Sequence, residues 1–370
     1  MTEFELLVGA DVFWARAAGD IHRARRRLYV QAMTFEGDIA GGKVAAAITA
    51  SPAVDRRVLV DDYSRFTVSD RSVHSLSGRL DPKLREEVRA TDAMFRGLIR
   101  AGGRVRLTNP IGPLMANYPA RNHKKLIVAD DVAYIGGINF SDHNFAWHDF
   151  MLRLEGDATA ALLAADFEAT FAGAPRAWRH DMDDLSLLSL DGRTNAEGFG
   201  HVISLIEAAR RDITVISPYL TFPFTDALAR AARRGVAVRL ITPLANNKPT
   251  VRNYLLAAAE RAGFEVLLLP KMSHLKGLLI DGRQLVIGSS NFDFVSLAAE
   301  EELVAVTARP AVIEDFQRRI IAPAVAEALP PGAHQISRAA GRAAELALRI
   351  AQRVALAARG APRTAIDWPV

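Results

Sequence analysis

Two stretches of the chain carry the same set of reactive side chains. His123-Lys124-Lys125-Leu126-Ile127-Val128-Ala129-Asp130 and His274-Leu275-Lys276-Gly277-Leu278-Leu279-Ile280-Asp281 both read His-x-Lys followed, after four residues, by Asp. Each runs through a second apolar stretch to an asparagine, in Gly136-Gly137-Ile138-Asn139 and Gly288-Ser289-Ser290-Asn291. Together they supply two imidazoles, ammonium groups and two amides, a set suited to an anion. A phosphodiester gains negative charge as its phosphorus becomes pentacoordinate, and Lys and Asn donors stabilise that charge with no metal or other cofactor. One imidazole can attack phosphorus while the other protonates the departing oxygen, because imidazole titrates near ~6.5 and both protonation states are accessible. The intermediate would be a phosphohistidine, resolved by a second displacement. A metal site is disfavoured, since His-x-Lys offers one ligand per stretch beside a repelling cation.

The duplication separates this pattern from accident. A single match is weak, but two copies with matched downstream Asn are specific. The chain is also rich in Arg, yet Lys124, Lys125, Lys271 and Lys276 cluster here, which points to a need for compact ammonium groups. On an extended strand His123 and Lys125 share a face, as do His274 and Lys276. Asp130 and Asp281 fall at an odd offset, on the other face, in Asp-Asp and Asp-Gly turns between apolar runs; they read as structural hairpin residues. The other histidines lack such company: His22 reads as an exposed helix position, while His143 and His148 lie close enough in sequence to the first stretch to line its pocket.

These stretches resemble the paired HKD motifs of the phospholipase D superfamily. Trp147-His148-Asp149 with Arg153-Leu154-Glu155-Gly156, and Asn291-Phe292-Asp293 with Ser296 and Glu302, are similar to the bacterial cardiolipin synthase branch after its first and second motifs. Glu300 departs from the Asn often found there. The resemblance implies two pseudo-symmetric phospholipase D-like lobes with the active site at their interface. It implies catalysis by His123, Lys125, His274 and Lys276, with His123 as nucleophile and His274 as acid and then base, and phosphate binding by Asn139 and Asn291. Asp149 and Glu302 would hold the imidazoles from behind. The implied activity is phosphatidyl transfer from a glycerophospholipid to an alcohol headgroup. Hydrolysis differs only in water resolving the intermediate, and a nucleic-acid phosphodiesterase or a non-enzymatic lipid-binding protein are further alternatives.

The elements that must position these residues follow from periodicity. Helix-period and strand-period segments alternate through both halves, which predicts α/β lobes, each a mixed sheet flanked by helices. In the first half the expected helices cover 11–27, 39–50, 82–102 and 158–171, with strands at 28–34, 57–60 and 105–108. Residues 65–80 read as an irregular loop, and 109–121 as an apolar loop with Leu114, Met115 and Tyr118 that could form part of a lipid entrance. The second half repeats the plan, with helices at 200–211, 225–234 and 250–262, the last stopped by Gly263. The expected domains are 1–182 and 199–329, joined by a linker at 183–198 and followed, after the Leu329-Pro330-Pro331-Gly332 break, by a C-terminal segment at 330–370. That segment holds a helix, expected from Gln335 to Arg359, with Arg338, Arg342, Arg349 and Arg353 in one arc. It could lie in a membrane interface or pack on the protein's own surface.

With 370 residues, half of them apolar, the chain can bury a large core. It has no cysteine, which excludes disulfides and thiolate metal sites, and its net charge of +4 suits an anionic partner. The aromatic content of 7% and the mixing of Arg with acids argue against a nucleic-acid groove. With no membrane-length apolar run and no signal-peptide layout, the expectation is a cytoplasmic protein, peripheral on the inner face of the cell membrane, with a membrane surface and a glycerophospholipid as partners.

Overall fold

The computed structural model describes residues 2–112, 115–329 and 336–369. The chain forms two compact units, one of Met1–Arg176 with Ala361–Val370 and one of Ala177–Gly360. The first unit contains β1 (Glu3–Val8), β2 (Arg27–Ala32), β3 (Asp55–Asp61), a small hairpin of β4 (Thr67–Val68) and β5 (Arg71–Ser72), then β6 (Arg104–Thr108), β7 (Leu126–Ala129), β8 (Val132–Gly136) and β9 (Phe150–Glu155). Its large sheet runs β1-β9-β8-β7-β2-β3-β6, with β2, β3 and β6 parallel and the rest antiparallel. Strands β7 and β8 are buried at every position, as continuous apolar runs in the middle of a sheet covered on both faces should be.

The flanking helices start where the sequence supplies caps. Asp38 accepts the Gly41 N–H at the head of Ile39–Ala50, and Asp81 accepts the Lys83 and Leu84 N–H groups ahead of Pro82–Arg100. Phe13, Trp14 and Ile21 of helix Ala10–Arg23 and Phe95 and Leu98 of Pro82–Arg100 pack with Leu28, Val30, Val58 and Val60 in one core.

The second unit contains β10 (Trp178–Met182), β11 (Leu185–Asp191), β12 (Asp212–Ile216), β13 (Ala237–Pro243), β14 (Glu265–Leu269), β15 (Gly277–Ile280), β16 (Gln284–Gly288) and β17 (Glu301–Thr307), in the order β10-β11-β17-β16-β15-β12-β13-β14. From β11 onward this is the first unit's order again, including the parallel trio β12, β13 and β14. Gly263 ends helix Pro249–Ala262 in the left-handed conformation at φ 72°, as expected of a helix stop. Among the described residues no helix is long and apolar enough to cross a membrane.

Several expectations are corrected. Residues 183–198 hold no linker: they carry β11 and the start of helix Asn195–Ala208. Strand β11 pairs with β17 along its whole length and buries Leu185, Leu187, Leu188 and Leu190, so the serines and acids that suggested a linker are interruptions in a core strand. It is the counterpart of β1, another strand absent from the sequence reading. The 330–370 segment is not a separate body either. Helix Arg338–Ala357 packs into the second unit through Ala344, Leu348 and Ala355, and β18 (Ala365–Asp367) pairs antiparallel with β6 in the first. Trp368 closes that edge, its ring tilted at 38° against Phe95 with centroids 4.3 Å apart and its indole N–H donating to Asp92 at 3.1 Å. Residues 65–80 are also more regular than expected, with the β4–β5 hairpin and a helical turn at Leu76–Leu80. Leu114, the Pro330-Pro331-Gly332 break and Gln335 lie outside the described residues.

Candidate active site

His123 and Lys125 lie immediately before β7, and His274 and Lys276 immediately before β15; neither pair is inside the strand. All four are buried. In both copies the lysine turns back on its own histidine: Lys125 Nζ donates to the His123 carbonyl at 2.6 Å, and Lys276 Nζ donates to the His274 carbonyl at 2.5 Å. Lys276 Nζ is also 2.9 Å from His274 Nδ1. The shared placement holds each ammonium group at its own histidine's carbonyl, and in the second copy against the imidazole as well.

The neighbouring lysines have other roles. Lys124 is fully buried and ion-paired to Asp166 at 2.8 Å, while Lys271 is exposed. Of the four clustered lysines, only Lys125 and Lys276 stand beside the histidines.

Asp130 and Asp281 sit at the hairpin turns with φ of 53° and 52°. The Asp130 carboxylate accepts the backbone N–H groups of Arg25, Arg26 and Arg27 at 2.8, 2.9 and 3.0 Å. Asp281 does the same with Arg210, Arg211 and Asp212 at 3.1, 2.8 and 3.2 Å. Partial burial works to raise the pKa of each, but these N–H donors outweigh it and hold both below the ordinary carboxylate value. Each motif Asp therefore ties its hairpin to the start of the adjacent central strand, β2 or β12.

Asp149 and Glu302 occupy matching register positions. Gly136 pairs with Met151 and Gly288 with Val304, and each carboxylate lies two residues before that partner. Each also packs against the residue after the paired glycine. A Cβ on Gly137 would come 2.3 Å from Asp149 Oδ1, so glycine leaves room for the carboxylate; in the second unit the Ser289 hydroxyl donates to Glu302. Both carboxylates are buried. Asn139 accepts the Thr34 N–H at 3.3 Å, and Asn291 is buried in the corresponding position after β16, with its Oδ1 unpaired among the described residues.

The structure adds residues that the motifs did not reveal. Asp61, at the end of β3, receives Arg121 Nη1 and the Asn122 N–H, both at 2.6 Å, and so anchors the segment that delivers His123. Burial pushes the Asp61 carboxyl up to about 6 against the pull of Arg121. In the second unit Tyr219 lies edge-on to His274 at 6.0 Å, with Lys248 Nζ 4.3 Å above its ring. Glu300 is buried beside Glu302, and the Ser296 hydroxyl touches both, at 2.8 Å from Glu300 Oε2 and 2.9 Å from Glu302 Oε1. One hydroxyl proton cannot serve two carboxylates. Burial, then the charges of Glu302 and Asp293, push Glu300 up to about 8, so Glu300 carries the extra proton at neutral pH. The run Glu300-Glu301-Glu302 was the sequence signal for this crowding. Nothing local marked Lys248.

His143 sits on the short helix Asp142–Ala146, hydrogen-bonded to Ser141 and Asn144, with burial lowering its pKa; His22 is exposed.

Residues 202–322 match the family model described as "Cardiolipin synthase, PLD-like domain". Cardiolipin synthase B of Escherichia coli is 27% identical over 332 residues, covering 81% of this chain and 75% of that protein. The minor cardiolipin synthase of Bacillus subtilis is 28% identical over 205 residues, covering 50% of this chain and 51% of that protein. The crystal structure of phosphatidylserine synthase from Haemophilus influenzae superposes with a TM-score of 0.68 at 15% identity, over 95% of this chain and 94% of that one, a likeness of fold.

Proposed function

We propose that this chain, an enzyme of the phospholipase D superfamily, transfers a phosphatidyl group from a glycerophospholipid to an alcohol headgroup, in the manner of a cardiolipin synthase. The observation that carries the reading is the pair of matching His–Lys arrangements, each ammonium held against its own histidine's carbonyl. In the first step a His123 imidazole nitrogen bonds to phosphorus and the bond from phosphorus to the departing headgroup oxygen breaks; His274 gives that oxygen a proton. In the second, an acceptor hydroxyl loses its proton to His274 as its oxygen attacks phosphorus, and the P–N bond to His123 breaks. Lys125, Lys276, Asn139 and Asn291 supply donors to the non-bridging oxygens, whose charge grows in each transition state. Asp149 and Glu302 hold the imidazoles as tautomers able to react. The protein works at a membrane surface, where its lipid substrate resides.

The test is mass spectrometry of lipids after incubation with phosphatidylglycerol vesicles, with and without phosphatidylethanolamine. Cardiolipin is expected from the intact protein, and His123→Ala should lower its formation by at least roughly 10³-fold. Phosphatidic acid alone would make the enzyme a hydrolase. No lipid product at all would overturn the reading and favour a nucleic-acid phosphodiester.

A further inference from the structure

The C-terminal helix Arg338–Ala357 is packed the opposite way from an ordinary surface helix. Its inward face is made chiefly of small residues, Gly341, Ala344 and Ala355 with Leu348. The approach to helix Pro249–Ala262 is so close that a Cβ on Gly341 would fall 2.5 Å from the Ala257 methyl. Its larger aliphatic residues point outward: Leu346, Ile350 and Val354 are 63%, 57% and 56% exposed. Spaced four apart, they form one row along the solvent face.

A second row flanks the first. Arg338, Arg342, Arg349 and Arg353 recur at helical spacing and are exposed, but the Arg349 guanidinium turns back onto the buried Phe222 ring, 3.7 Å from its centroid, which leaves Arg338, Arg342 and Arg353 as the outward cations. The one acidic residue of this helix, Glu345, lies at the opposite edge of the arginine row, half-buried, with Arg261 at 3.0 Å and Arg349 at 3.7 Å. Outward there is an aliphatic ridge beside a line of cations, with alanines between.

We propose that this face is a docking surface for an anionic lipid bilayer, with Leu346, Ile350 and Val354 in the acyl boundary and Arg338, Arg342 and Arg353 among the headgroup phosphates. A bilayer offers both complements at once, an apolar layer bordered by a sheet of negative charge. A second copy of the chain would bring its own arginine row to the same place, and like charges would oppose the pairing. The lipid-transfer reading gives the surface its purpose, but binding itself does not depend on that reading.

The experiment is sedimentation of the full chain with vesicles of phosphatidylcholine, alone or mixed with phosphatidylglycerol, across a range of salt. Two double variants are compared, Leu346→Asp with Ile350→Asp and Arg342→Ala with Arg353→Ala, each checked for an unchanged thermal transition. The intact chain is expected to bind the anionic vesicles more tightly and to release them as salt rises. The arginine pair should weaken that binding about 25-fold, since each basic residue near such a surface contributes roughly fivefold, and the aspartate pair should weaken it at least as much. Unchanged binding by both double variants overturns the proposal. So does an intact chain that ignores vesicles but is a dimer dispersed by the aspartate pair, which would assign the face to a second copy. Vesicle binding with the expected losses but no lipid product counts for the surface and against the transfer reading.

Discussion

Adjacent lysines in the first motif do different work, and substitution can separate them. Lys124→Ala leaves Asp166 buried without its cation and should cost about 3–5 kcal/mol of stability in the first unit, read by denaturant unfolding; Lys124→Met with Asp166→Leu should recover most of it. Lys125→Ala should instead leave unfolding nearly in place and lower turnover by at least roughly 10²-fold. Equal effects on stability would place both lysines in the scaffold. Glu300 makes a second prediction. Its folded pKa, about 8, stands above the ordinary value of 4.5, so its favourable contribution is complete below the unfolded pKa and is lost as pH rises through the folded one. Wild-type stability should therefore fall between about pH 4.5 and 8 relative to Glu300→Gln, which keeps a neutral hydrogen-bonding group there. Parallel thermal curves for the two proteins across that window would rule this out.

At the scale of elements, the motif aspartates work on hairpins. Asp130→Ala strips three backbone N–H groups of their acceptor and should cost about 2 kcal/mol, with faster amide exchange at Arg25, Arg26 and Arg27. Much of this scale was legible in the sequence. The apolar run, Asp turn and second apolar run gave the β7–β8 and β15–β16 hairpins, and a glycine after a helical period gave the cap at Gly263. What escaped was settled at a distance. Strand β11 looks like a polar connector until β17, more than a hundred residues on, is laid beside it. Lys248 reaches Tyr219, and Tyr219 reaches His274, only because β13 and β15 flank β12 in the same sheet. Asp149 and Glu302 were legible only through the family resemblance; their shared register, two residues before the partner of a glycine, is a property of pairing between strands.

At the scale of the molecule, the repeat is exact in topology and broken at its margins. Both units order seven strands alike, yet the first borrows an eighth, β18, from beyond the second. Trp368 should therefore matter to a unit most of which lies two hundred residues or more before it. Trp368→Ala removes a ring packed on Phe95 and the hydrogen bond to Asp92, at a cost of about 3–4 kcal/mol to the first unit. Two transitions in calorimetry, with only one lowered by the substitution, would be the signature; no shift in either would mean that β18 adds little.

The position of β18 also bears on the order of assembly during synthesis. Residues 2–176 leave the ribosome with the outer edge of β6 bare, and every strand of the second unit is translated before the one that covers it. A growing chain thus carries an unpaired parallel edge for as long as synthesis of the second half lasts, a template for misplaced pairing with other nascent strands. The later-made unit can finish first, and the earlier-made one waits for its final strand.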